Sequence, residues 1–133
     1  MKRILIGYYI GNSVQLDIQH KKLSSFDNKK AYVLRPTMMR LFLYLLENAA
    51  GKIVTTDNIL HDVWDLHSLK SSSQRLWQVM QALKFRLAAL GVPHDFIMRV
   101  ETTEVKGFTL NAELIRPFYF YLDEDTLLKS GSP

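Results

Sequence analysis

The chain has 133 residues, of which 47% are hydrophobic; it has no cysteine and carries a formal net charge of +4. This length and apolar content predict one domain with its own core, and the lack of cysteine excludes disulfides, thiolate zinc sites and thiol catalysis. Such a chain suits a reducing cytoplasm, which is the localisation that we expect. The net charge is compatible with a polyanionic partner but does not identify one.

The charges are unevenly placed. Residues 1–35 contain seven basic and two acidic side chains, whereas residues 71–94 contain three basic and no acidic ones. Residues 112–133 reverse the sign, with two basic and four acidic side chains. The positive charge therefore belongs to the body of the predicted domain.

The first 35 residues predict a small antiparallel sheet. Four β-forming runs alternate with turn residues: ILIGYYI, SVQLDI, KKLSSF and AYVL. The start of the chain also imitates a signal peptide, but its apolar run is short, contains two glycines and lacks a small-residue cleavage site. We therefore predict a strand there. No apolar run approaches the ~20 residues that a membrane-spanning helix needs.

Two helices are predicted next. Pro36 stands where a first helical turn accepts proline, and apolar side chains then recur at helical spacing as far as Asn48. Gly51 ends this helix. The two threonines and the aspartate of residues 55–57 offer caps for a second, short helix that extends to Trp64.

A longer helix and a hairpin complete the predicted order. Residues 71–73 are three serines that can cap the third helix, and Gly91 ends it. Its apolar residues recur at steps of four, three, four and three: Leu76, Met80, Leu83, Leu87 and Leu90. The runs IMRVETT and VKGFTL then predict a β-hairpin.

The order of sheet, three helices and hairpin predicts an α+β fold of the winged helix-turn-helix type. We assign residues 1–111 to this domain, with the N-terminal β-sheet at 1–35, three helices at 36–95 and the wing hairpin at 96–111. Residues 112–133 form a C-terminal strand or linker tail. Its aromatic run, 118–122, is compatible with an extra strand or a dimer contact.

Two stretches resemble the DNA-binding domain of response regulators of the OmpR and PhoB type. LRPTMMRLFLYLLENAAGKIVTTDNILHDVW, at 34–64, resembles the first two helices, and VETTEVKGFTL, at 100–110, resembles the wing strand with its Gly-aromatic pair. The resemblance covers roughly residues 5–111. It implies a four-stranded sheet ahead of the helices and a sequence-specific, DNA-binding transcription regulator without catalytic activity or cofactor.

Response regulators carry a receiver domain before this module, and here the sheet begins at the N-terminus, so we expect none. The closer resemblance is to ToxR- and CadC-like one-component regulators of bacteria, which continue through a linker into a membrane span. The expected location is therefore the cytoplasm, as a membrane-tethered cytoplasmic domain if the natural chain is longer. We expect double-stranded DNA as partner, bound by a homodimer on adjacent half-sites, and no small-molecule substrate.

The third helix has an outer line opposite its apolar stripe. At about 100° per residue, this line contains Gln74, Gln78, Gln81 and Phe85, with Arg75 at its flank. Gln can address adenine and Arg can address guanine or phosphate, whereas an acid would repel the phosphate backbone. The predicted base-reading residues are Gln74, Arg75, Gln78 and Gln81. A solvated helix face that happens to use Gln is the alternative.

Other DNA contacts are predicted around this helix. The predicted phosphate-binding residues are Thr55, Thr56, Trp64, Ser72, Ser73 and Lys84. Lys52, Lys70 and Arg86 rank below them. Capping alone would explain the threonines, and the phosphate contact of Trp64 is implied by the resemblance, with half-buried core as the alternative. The predicted wing residues are Arg99, Thr102, Thr103 and Lys106.

Two departures from the family pattern weaken specific expectations. Ala82 stands where many members have an arginine, and Glu104 stands where the wing often has one. Because Glu101 and Glu104 repel a minor groove, we expect a weak wing contact. Phe85 is also unusual on an outer line, and it either packs against a partner or against the aromatic run 118–122.

Two other classes of function, an enzyme and a protein interaction module, are alternatives to DNA binding. His61 and Asp65 are four residues apart on a predicted helix, a spacing that can chelate a metal, but no HExxH motif, nucleophile-base pair or phosphate loop supports an enzyme. We therefore predict neither a metal site nor catalysis. A winged helix retained as a protein–protein interaction module is the alternative function, since the acidic wing and Ala82 suit one.

Overall fold

A computed structural model describes residues 2–67, 69 and 72–123. The elements are β1 (Lys2–Ile10), β2 (Val14–Asp17), β3 (Lys22–Ser25), β4 (Ala31–Val33), α1 (Pro36–Asn48), β5 (Val54–Thr55), α2 (Thr56–Ile59), α3 (Ser73–Ala89), β6 (Ile97–Glu101), β7 (Lys106–Leu110) and β8 (Ile115–Leu122). A π-helical turn (Leu60–Trp64) and a 3-10 turn (Asp65–His67) continue α2, and a second 3-10 turn (Ala112–Leu114) precedes β8.

The described strands form two antiparallel sheets. The first has the order β4-β3-β2-β1-β8 and the second the order β5-β7-β6. The sheet that the resemblance implies as four-stranded thus has a fifth strand, because residues 115–122 pair with β1 and place Ile115 opposite Ile10. Of the two alternatives for the aromatic run 118–122, the extra strand is the one observed. The second sheet consists of the predicted wing hairpin, β6 and β7, with the two-residue β5 on its edge.

The core lies between the first sheet and the helices. Apolar side chains of β1–β3 meet the buried face of α1, which consists of Met39, Leu41, Phe42, Leu45 and Leu46. The predicted stripe of α3 is buried as well: Leu76, Met80, Leu83 and Leu87 are all at most 3% exposed. Gly91, with φ +93°, follows the end of α3, where a left-handed residue allows the chain to turn.

The segment after α2 departs from the predicted regular helix. It widens into the π-helical turn, so the four-residue spacing of His61 and Asp65 no longer has the geometry of an α-helix. His61 Nδ1 instead lies 2.9 Å from Asp62 Oδ1, and Asp62 Oδ2 accepts a hydrogen bond of 2.6 Å from the Tyr44 hydroxyl on α1. These contacts connect the second helix to the first.

The hydrogen bond between Tyr44 and Asp62 shifts the pKa values of both side chains. Burial, reinforced by the Asp62 carboxylate, raises the pKa of Tyr44 to about 12. The hydrogen bond from Tyr44, followed by that with His61, holds the pKa of Asp62 below its ordinary value. Over residues 2–67, 69 and 72–123, no helix is long and apolar enough to cross a membrane.

Candidate nucleic-acid interface

The start of α3 is set by a serine cap. Ser72 has an extended backbone, and its hydroxyl accepts a hydrogen bond of 3.0 Å from the N–H of Arg75. Ser73 is the first helical residue and is exposed. The hydroxyl of Ser72 is therefore already used within the chain, whereas that of Ser73 faces solvent. Lys70 and Ser71 lie outside the described residues.

The four predicted base-reading residues form one exposed surface, which we call the outer ridge: Gln74, Arg75, Gln78 and Gln81. The buried stripe of α3 turns this ridge away from the core. No Asp or Glu occurs anywhere in α3, and its charged residues are Arg75, Lys84 and Arg86. The ridge therefore presents amide donors and acceptors together with positive charge, a combination suited to base edges and phosphates.

Trp77 is a surface residue that the sequence reasoning missed. Its side chain is 58% exposed, although tryptophan is among the most apolar residues of α3. It stands three residues after Gln74 and four before Gln81, so it lies beside the outer ridge. The signal was present in the sequence, because Trp77 falls outside the four-three-four-three repeat that identifies the buried stripe.

A cleft of about 560 Å³ separates α3 from the wing. It brings together residues from the α2 N-terminus, α3 and the hairpin. Eight of the predicted contact residues line it: Thr55, Thr56, Ser73, Gln81, Lys84, Arg99, Thr103 and Lys106. Trp77 also lines the cleft, as do three acids, Asp57, Glu101 and Glu104. The cleft is thus mixed in charge, in contrast to the ridge.

A short strand pairing builds the cleft wall. β5 pairs with β7, which places Thr55 opposite Gly107 and brings the α2 N-terminus against the wing. The backbones approach so closely that a Cβ at Gly107 would collide with the carbonyl oxygen of Val54. Glycine is therefore required there. Thr55 also caps α2, since its hydroxyl accepts a 3.1 Å hydrogen bond from the N–H of Asn58.

Several polar groups of the wing form hydrogen bonds or ion pairs within the same hairpin. Thr102 Oγ1 accepts hydrogen bonds from the N–H groups of Val105, at 2.9 Å, and Glu104, at 3.3 Å. Arg99 forms an ion pair with Glu101 at 3.1 Å. Two of the four predicted wing residues thus have partners within the hairpin. Thr103 and Lys106 are exposed at the cleft.

Several candidate residues lie away from the ridge and the cleft. Trp64 is 2% exposed and belongs to the core, which favours the core alternative over the phosphate contact. The Arg86 guanidinium lies 4.6 Å from the centre of the Tyr32 ring on β4. Phe85 is 71% exposed and borders an apolar groove with Pro93 and Phe96. The aromatic run 118–122, the other contact expected for Phe85, lies in β8 and pairs with β1.

Among the described residues, no three His, Asp or Glu side chains stand close enough to hold a metal ion. His20 lies 2.7 Å from Asp17 within one turn, and His61 pairs with its neighbour Asp62. These local pairs account for His20 and His61 as surface polar contacts.

No family model and no curated protein sequence matches the chain. Among solved structures, the DNA-binding domain of Escherichia coli CadC is similar to it, with a TM-score of 0.67 and 16% sequence identity. The match covers 86% of this chain and 96% of the CadC domain. The predicted α+β winged-helix fold and its likeness to the CadC domain are thereby confirmed.

Proposed function

We propose that the protein is a sequence-specific DNA-binding transcription regulator that places the outer ridge of α3 in the major groove. The observation that carries this proposal is that the ridge is fully outside the core and that α3 contains no acidic residue. The CadC domain, which has the same fold, is described as DNA-binding. Catalysis has no part in this function.

Electrostatics supports duplex DNA as the partner. Duplex DNA carries one negative charge per ~1.7 Å of its axis, so an acid on an inserted helix would weaken binding at every sequence. Arg75 and Lys84 favour approach to that charge. The three glutamines add sequence information, because an amide can bond both N6 and N7 of adenine.

We assign different DNA contacts to α3, the cleft and the wing. With α3 in the major groove and the wing at the adjacent minor groove, the intervening phosphate strand passes over the cleft between them. Ser73, Thr56 and Lys84 line that cleft and are the proposed phosphate contacts. The wing contributes little because Glu101 and Glu104 oppose the phosphates. One such domain contacts few base pairs, so we propose that two copies bind adjacent half-sites.

A protein–protein interaction module is the second candidate. It is favoured by the acids of the wing and by Phe85, which leaves a large apolar side chain exposed on α3. The two functions differ in their response to salt. A protein that neutralises several phosphates loses orders of magnitude in affinity between low and moderate salt, whereas an interaction module need bind no duplex.

Selection of bound duplexes from a random pool, followed by binding measurements at two salt concentrations, tests the proposal. We expect a defined recognition sequence and a steep loss of affinity with salt. A folded protein that retains no duplex at low salt would exclude DNA binding and leave the interaction module.

Variants then locate the contact. Gln78→Ala should reduce discrimination at one base pair by about ten-fold, in keeping with a lost bidentate contact. Lys84→Ala should weaken binding to all sequences alike and lower the salt slope by about one. The matched controls are Gln19→Ala and Lys22→Ala, which alter exposed residues in the turn between β2 and β3 and at the start of β3. If Gln78→Ala behaves like Gln19→Ala, the ridge is not the reading surface.

A further inference from the structure

Trp77 has no structural role that its position explains. An indole that belonged to the core would be covered, yet 58% of this side chain is exposed. The buried stripe on either side of it, Leu76 and Met80, completes the packing of α3 without it. Trp77 also lines the cleft beside the outer ridge, so DNA that occupied the cleft would cover its side chain.

The position of Trp77 defines what would cover it. It is about 60° around the helix from Gln74 and about 40° from Gln81, on the side that faces the cleft. Under the proposed function the indole therefore lies beside the residues that read bases, at the boundary between the outer ridge and the cleft. The apolar group that the major groove offers is the C5-methyl of thymine.

We propose that Trp77 is a specificity-determining residue that packs against the C5-methyl group of a thymine beside the bases read by the outer ridge. This inference rests on the proposed function and deepens it. Together with the three glutamines, which suit adenine, Trp77 favours A·T pairs at its part of the ridge, whereas Arg75 can address guanine. Ala82, at the edge of the ridge, adds no charged donor that would favour guanine.

A thymine-specific contact differs from a backbone contact in a measurable way. If the indole N–H served a phosphate, the loss of Trp77 would weaken all duplexes equally. If the ring packs on a methyl group, the loss matters only where that methyl exists. Deoxyuridine removes this single methyl and leaves the Watson–Crick pair intact, so it is the probe for the contact.

The experiment uses the full chain and a duplex chosen by selection from the random pool. Each thymine of the site is replaced in turn by deoxyuridine, and dissociation constants are measured for the wild type and for Trp77→Ala. For the wild type we expect a loss of about four-fold at one thymine, the factor expected for one buried methyl group. For Trp77→Ala we expect no loss at that position and unchanged ratios elsewhere.

Phe120→Ala is the control, because Phe120 is an exposed aromatic residue on β8, outside α3 and the wing. It should keep the full deoxyuridine penalty. Trp77→Gln, which retains a long side chain, provides a second variant and should lose the penalty as Trp77→Ala does; circular dichroism checks that both remain helical. Equal penalties in wild type and both Trp77 variants, or a uniform weakening at every position, overturn the inference.

The two possible failures are distinguishable. If the wild type binds no duplex at low salt, the proposed function itself fails. If the wild type binds its selected duplex and no deoxyuridine penalty depends on Trp77, DNA binding stands and only the thymine contact is wrong.

Discussion

The outer ridge of α3 and the wing lie on opposite sides of one cleft, yet their charged residues are arranged differently. In the described part of the chain, no ion pair involves α3, and the ridge carries its positive charge without an acid nearby in sequence. The wing holds Arg99 against Glu101 and presents Glu104 at the cleft. Among the described residues, α3 thus carries its positive charge without an ion pair, whereas the wing pairs a positive charge with an acid of the same hairpin. We infer that affinity and specificity depend mainly on the helix.

The largest expected effect comes from removing the support of the ridge. Leu83 lies on the inner face of α3 and is fully buried, and Leu83→Ala should lower the free energy of unfolding by roughly 3 kcal/mol, since it leaves a cavity in the core. Urea unfolding followed by circular dichroism measures this loss. Leu66→Ala, at an exposed leucine, is the control and should change stability by less than about 0.5 kcal/mol. Equal effects would mean that the buried face of α3 is wrongly identified.

The second largest effect is expected when an acid is added to α3. Ala82→Glu places a carboxylate beside the ridge, and we expect about ten-fold weaker duplex binding at low salt, because unit charges a few ångströms apart interact by about 1 kcal/mol or more. The loss should shrink as salt is added. Ala31→Glu puts the same charge on exposed β4 and should have a smaller effect. An unchanged dissociation constant for Ala82→Glu would show that phosphates do not approach α3.

Removal of an acid from the wing is expected to have the opposite effect on DNA binding. Glu104→Gln removes an exposed acid from the cleft edge, and we expect binding to become about two- to three-fold tighter at low salt. Glu113→Gln, outside the hairpin, is the matched control for the change in net charge. A change equal to that of the control would mean that the wing stays away from the DNA, and weaker binding would mean that Glu104 makes a favourable contact.

The smallest effect concerns the contact between α1 and the second helix. The pKa of Asp62 is lowered, so its contribution to stability is present above the unfolded value near 3.8 and is lost as pH falls below it. The pKa of Tyr44 is raised from 10.0 to about 12, so its contribution is complete below pH 10 and is lost as pH rises through about 12.

Tyr44→Phe removes this hydrogen bond and should lower the free energy of unfolding by less than about 1 kcal/mol near neutral pH, because Asp62 is partly exposed to solvent. The difference from wild type should diminish below pH 4 and above pH 10. Urea unfolding at several pH values measures it, with Tyr121→Phe as the exposed control. A difference that is the same at every pH would show that the Asp62 contact does not contribute.

The sequence by itself determined the elements whose hydrogen bonds and periodicity are local. The repeat of Leu76, Met80, Leu83 and Leu87 defines the buried face of α3, and Ser72 caps it through a bond only three residues away. The order of sheet, helices and hairpin follows from such local patterns. The exposure of the outer ridge follows as well, because the face opposite an apolar stripe must point to solvent.

Only the tertiary structure decided which distant segments meet. Whether the aromatic run 118–122 becomes a strand depends on the free edge of β1, about a hundred residues earlier in the chain. The burial of Trp64 depends on neighbours from other elements, and no local spacing encodes it. The cleft exists because β5 and β7 approach at Gly107, and such non-local packing cannot be inferred from the sequence around either strand.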